Sequence, residues 1–244
     1  MTAGKLKLFR HRLVSEWAYQ YSVWKTVVDW TIALYIVLPF SALFINAYIG
    51  WWSQIPAGLN YIPLNVFLLI VLLFAWSGTL RIFVEEADQI FLLQRTAWIK
   101  SLIKYSIAYF IGSALLVTLL FGLAAAPFLL RHYGFTVYSL LWLGFSAFIL
   151  KASIGILKQL IEFRFPGWKR VPVKMVLLAA SGFYLQITAV CLLNQQPFSY
   201  ILIFLLLIVL ILLICRRTSL KGTLLSDIAM GQAAKMKLTN ILLG

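Results

Sequence analysis

The sequence predicts an all-α polytopic membrane protein, with about six transmembrane helices and an N-terminal amphipathic interfacial helix. Two observations carry this fold class. The 244 residues are 63% apolar and only 11% charged, against about 45–50% and about 25% in soluble domains. The apolar residues also fall in continuous runs near the ~20 residues that a helix needs to cross ~30 Å of hydrocarbon. Transmembrane strands would instead alternate over segments of about 10 residues. Intrinsic disorder needs low hydrophobicity, and a chain with two cysteines is no disulfide scaffold. Cys191 and Cys215 fall near opposite faces of the membrane and are not expected to pair.

The first element covers residues 1–26. Leu6, Phe9, Leu13, Trp17, Tyr21 and Trp24 recur at three- and four-residue steps. They share about 120° of one helical face, while Lys5, Lys7, His11, Arg12 and Glu16 lie off that stripe. This pattern predicts a helix lying in the interface, with its basic residues near lipid headgroups. It serves either as an anchor or as a docking surface for a partner. The charged start and the length of the first apolar run argue against a cleaved leader.

Residues 27–215 form the predicted transmembrane domain, with spans near 27–49, 62–84, 103–130, 135–150, 171–193 and 200–215. The third is long enough to tilt. Residues 216–244 read as a tail. Of the 21 Lys and Arg, every one but Arg131 falls on one side of this arrangement. The positive-inside rule makes that side cytoplasmic and places both termini there. The net charge of +14 is thereby explained by topology, without nucleic-acid binding. Trp51, Trp52 and Tyr61 on one side and Trp24, Trp30, Trp98 and Trp168 on the other suit interfacial belts.

Two inner segments stand out. Glu85, Glu86, Ala87, Asp88 and Gln89 are followed directly by Ile90, Phe91, Leu92, Leu93 and Gln94. Three of the seven acidic residues sit here, where they would complement a helix N-terminus. Two readings stand: a charged, capped turn between spans, or a plug whose apolar knob enters a cleft on a cytoplasmic partner. Residues 151–170 continue the fourth helix to Phe165, where Pro166 and Gly167 stop it. Lys158 and Glu162 are four apart and can pair weakly.

No catalytic chemistry is visible. His11 and His132 fall at opposite faces, so no zinc site is expected. The pair Glu85-Glu86 matches the start of the EExxxR motif of intramembrane CAAX-type proteases, but Ile90 stands where that motif has Arg. The only Gly-Lys pair, Gly4-Lys5, lacks the context of a nucleotide-binding loop. No acid lies deep in a span, which disfavours a proton-coupled secondary transporter. Gly112, Ser113, Gly122 and Ala124 to Ala126 would line either a helix contact or a transport path.

A basic amphipathic N-terminal helix, six spans with both ends inside and a segment between spans two and three resemble an exporter-type ABC transporter permease. The run Phe83 to Leu93 is similar, more narrowly, to the EcsB family, whose members carry a run ending EAD-x-x-FLLP; Gln94 stands where that pattern has Pro. The resemblance implies a bacterial plasma-membrane permease exporting a peptide or other amphipathic cargo. It further implies a separate cytoplasmic ATPase subunit that binds ATP and Mg, so that this chain carries no cofactor and no enzymatic activity. Glu85, Glu86, Asp88, Gln89, Phe91, Leu92 and Leu93 would contact that ATPase, and a second permease copy is a further candidate partner. Family members run on beyond this chain's last residue, so residues 231–237 would be a linker. A scaffold without transport is the alternative.

Overall fold

The computed structural model describes residues 2–27, 30–54, 58, 61–83, 96–165 and 167–220, and every regular element among them is helical. Helix α1 is Thr2–Val27. Helix α2 is Trp30–Ser53, with a π turn at Ala33–Val37 just before Pro39. Helix α3 is Leu64–Trp76. Helix α4 is Thr96–Pro127, extended by a π turn at Phe128–His132. Helices α5, α6 and α7 are Val137–Arg164, Arg170–Leu193 and Phe198–Ser219. The chain divides into two compact units: Met1–Ala47 with Arg81–Tyr109 and Leu220–Gly244, and Tyr48–Leu80 with Phe110–Ser219.

In the first unit α1 lies against the start of α4. Phe9 and Leu102 are buried together, with Phe83, Trp98 and Tyr105 around them. The Phe9 ring meets Phe83 edge-on at 5.8 Å. Arg12 is buried beside them and donates from Nη1 to the Phe83 carbonyl at 3.1 Å. Trp17 Nε1 donates to the Tyr109 hydroxyl at 3.0 Å.

In the second unit α5 is the central helix, packed on α3, α6 and α7. It begins where Thr136 Oγ1 accepts from the Ser139 N–H at 3.1 Å, an N-cap. It ends at Phe165, before Pro166 and Gly167, as the sequence predicts. Two apolar clusters flank it: Leu68, Leu129, Leu143 and Leu192 toward its start, Val71, Leu150, Ile154 and Leu185 further along. Pro127 has no N–H for the Leu123 carbonyl one turn back. The Tyr48 hydroxyl supplies the missing donor at 2.7 Å, and the helix widens into its π turn directly afterwards.

Five helices among the described residues are long and apolar enough to cross a membrane: Trp30–Ser53, Trp98–His132, Val137–Arg164, Gly167–Leu193 and Phe198–Ser219. The second predicted span, 62–84, is helical, among its described residues, over the 13 of α3, about 20 Å at 1.5 Å per residue. Ser77 leaves the helical region, and Gly78 takes φ +86, which a residue without Cβ adopts freely. Beyond it Leu80 is buried, and its N–H reaches the Gly155 carbonyl at 3.5 Å. Hydropathy is blind to such a break because the residues after it remain apolar.

Candidate functional site

The break after α3 is held by the side chains of α5. Helical spacing puts Lys151 and Lys158 seven residues apart on one face, and both are buried. Lys151 Nζ donates to the Phe74 carbonyl at 2.8 Å, the Ser77 carbonyl at 3.0 Å and Ser77 Oγ at 2.8 Å. Those are all three donors of an ammonium. Ser77 Oγ in turn donates to the Phe74 carbonyl at 2.6 Å. Lys158 Nζ donates to the Trp76 carbonyl. The two ammonium groups also lie 4.3 Å and 4.2 Å from the centres of the Phe74 and Trp76 rings, within cation–π range.

The last carbonyls of a helix lack intrahelical partners and carry the negative end of its dipole. Two cations therefore complement the end of α3 in sign and in hydrogen bonding. Lys151 has every donor engaged, so it has no N–H left for a further ligand. The arrangement fixes a helix end where non-helical backbone must be satisfied by protein.

Further along α5, the buried Gln159 accepts from Arg217 Nε at 2.9 Å, and Arg217 stacks over the Phe163 ring at 4.8 Å. Glu162 pairs with Lys174 of α6 at 3.0 Å. The predicted partner, Lys158, is turned to the end of α3 instead. Outside the spans, Tyr133 donates to the Ile62 carbonyl at 3.0 Å, and burial pushes its hydroxyl above the usual tyrosine range.

Of the residues assigned to the interfacial stripe, the structure separates two groups. Phe9 is buried on α4 and Leu13 is half-buried, whereas Leu6, Trp17 and Trp24 are 51%, 59% and 53% exposed. Glu85, Glu86, Asp88, Gln89, Phe91, Leu92 and Leu93 lie outside the described residues. Of the small residues in the third predicted span, Gly122, Ala125 and Ala126 line an apolar groove, while Ser113 turns its hydroxyl to the Phe110 carbonyl at 2.9 Å.

Lys151 was legible as a cation but not as a buried one. The fourth predicted span stops at residue 150, which puts Lys151 just outside it. The helix runs on to Arg164, and Lys151 stands about 21 Å along it at 1.5 Å per residue. The signal was available: Pro166 sets the helix end, and a lysine that far inside a helix needs partners.

An all-helical chain with apolar, exposed helices and cations bonded to a helix end inside it is a polytopic membrane protein. More narrowly, the chain belongs to the family described as Bacterial ABC transporter protein EcsB, whose model matches residues 6–244. It is similar to a protein of Bacillus subtilis (strain 168) named "Putative transporter YthQ", 38% identical over 107 residues. That stretch is 42% of this chain and spans 27% of the length of the relative. No solved structure matches the chain.

Proposed function

We propose that the chain is a membrane-spanning permease part of an ABC transporter, exporting a peptide or other amphipathic cargo across a bacterial plasma membrane. A separate cytoplasmic ATPase subunit supplies the free energy and binds ATP and Mg; this chain binds no cofactor and catalyses no reaction. The observation that carries the reading is the family match over residues 6–244, and the relative's name as a transporter supports it.

In this reading the chain is organised as an interfacial helix (1–26), a transmembrane domain (27–215) and a cytoplasmic tail (216–244). Both termini face the cytoplasm, following the partition of Lys and Arg. Helix α3 and the stretch that follows make the sixth crossing together. The helix contributes about 20 Å, and residues 77–80 continue the chain from its end. Leu6, Trp17 and Trp24, exposed on α1, sit in the lipid interface. Residues 85–93 couple the permease to the ATPase, with Phe91 and Leu92 filling an apolar cleft and the acids facing basic groups around it.

The test is purification of the tagged permease from its native membrane, with the co-purifying proteins identified and cargo movement measured in vesicles. Co-purification of an ATPase subunit and ATP-dependent movement are expected. Movement driven by a proton or sodium gradient without ATP would refute the reading, and so would a permease that binds no ATPase, which would favour a scaffold.

A further inference from the structure

Between α3, α4 and α5 lies a groove of about 320 Å³. Its floor is formed by small and branched residues: Val71, Gly122, Ala125, Ala126, Gly144 and Ala147. The one hydroxyl in its wall, Thr118 Oγ1, donates to the Ala114 carbonyl of its own helix at 2.7 Å. Nothing in the groove is left to recognise a polar ligand, and an apolar cavity stays dry. At the rim Leu119 is 59% and Leu141 is 66% exposed, so the groove opens sideways from helices long enough to span a membrane.

At about 320 Å³ the groove falls at the low end of the ~300–1,000 Å³ range of ligand pockets, a volume suited to a slender apolar ligand such as an acyl chain.

Position supplies the rest. The groove lies toward the end where α4 stops and α5 begins. At that end Trp51 packs edge-on to Phe128 at 5.1 Å, and Tyr48 bonds the Leu123 carbonyl beside the groove. Tyr138, Trp142 and Tyr200 form a second aromatic group there. Such amphipathic rings gather at headgroup level. Arg131 stands exposed on the π turn, two residues past Leu129 of the groove wall, and it is a cation suited to a phosphate.

We propose that this groove is a binding site for one acyl chain of a bilayer phospholipid. The headgroup lies among the aromatic residues near Arg131, and the tail runs down between α4 and α5 over Gly122 and Gly144. The tail fills the side-opening space between three helices.

The two glycines provide the test. A Cβ at Gly122 or at Gly144 meets nothing within 4 Å, so both positions accept a side chain at its root, and Gly122→Leu and Gly144→Leu add bulk to the groove wall. The experiment is native mass spectrometry of the full chain, purified from membranes in mild detergent, with extracted lipid identified by chromatography. One retained phospholipid per chain is expected in the parent, and at least a tenfold smaller retained fraction in the double variant. Gly112→Leu, on α4 with open space at its Cβ but outside the groove, should retain the lipid. Gly144→Ala adds one methyl group and should weaken retention partially, which keeps the test readable if leucine disturbs folding. Absence of retained phospholipid in the parent, equal retention in parent and double variant, or a retained peptide in its place would overturn the proposal.

Discussion

Replacing Lys151 with methionine tests the account of the α3 break. Methionine preserves most of the apolar stem of lysine while removing its ammonium. Three hydrogen bonds are lost, to the Phe74 carbonyl, the Ser77 carbonyl and Ser77 Oγ. They are not equivalent. The Phe74 carbonyl retains the Ser77 hydroxyl at 2.6 Å, whereas no other hydrogen bond to the Ser77 carbonyl is present among the described residues. Losing the charge-assisted hydrogen bond to the Ser77 carbonyl costs about 1.5–3 kcal/mol. Losing a cation at a partly buried helix C-terminus adds about 0.3–2 kcal/mol. Relief of the buried ammonium's desolvation offsets part of this. A net loss of about 2 kcal/mol is expected, roughly thirtyfold in the unfolding equilibrium at tenfold per 1.4 kcal/mol. Reversible unfolding of the purified protein in mixed micelles, followed by tryptophan fluorescence, measures it. Ser77→Ala should cost less in the Lys151→Met background than in the parent, with a coupling of at least about 0.5 kcal/mol. Lys174→Met, which breaks the half-exposed pair with Glu162, should cost no more than about 1 kcal/mol. If Lys151→Met unfolds within about 0.5 kcal/mol of the parent, or if its effect simply adds to that of Ser77→Ala, the capping account is wrong.

Gly155 packs against an aromatic ring so closely that an added Cβ would stand 2.2 Å from Phe110 Cζ. Gly155→Ala should destabilise the protein by about 1–3 kcal/mol in the same unfolding assay, and Phe110→Leu should restore part of the loss. In the coupling segment, Phe91→Ala should weaken association with the ATPase subunit about thirtyfold, the effect of a ~2 kcal/mol anchor, while membrane insertion is unchanged. Pull-down at matched permease level checks this, and normal binding by both Phe91→Ala and a triple neutralisation of Glu85, Glu86 and Asp88 would reduce the segment to a capped turn. Glu86→Gln should act mildly, with an effect that fades at high salt. A cysteine introduced at Gln195, in the turn between α6 and α7, should react with an impermeant thiol reagent from outside the cell; labelling only from the cytoplasm would refute the topology.

The helical membrane class, the family resemblance and most of the long apolar helices were legible in the sequence alone. Hydropathy and charge partition are local sums, and a run such as residues 200–215 is apolar enough to lie in lipid wherever it does not meet protein. The stop at Pro166 was equally legible, because a proline removes a backbone donor whatever surrounds it. What the sequence could not determine was anything that depends on which side chain meets which backbone group across the chain. The second run reads as one span because Leu80 and Ile82 are as apolar after the break as Leu72 is before it. Its helix ends at Trp76 because Lys151 and Lys158, more than seventy positions later, arrive with donors for the carbonyls left open. The stripe on α1 was likewise found by its period, but Phe9 and Trp17 share that period while one is buried on Leu102 and the other is exposed. Periodicity reports that a face is apolar. Only the packing of α4 against α1 decides how much of that face meets protein and how much remains for lipid, since burial is a property of two surfaces and the sequence of one helix describes only one of them.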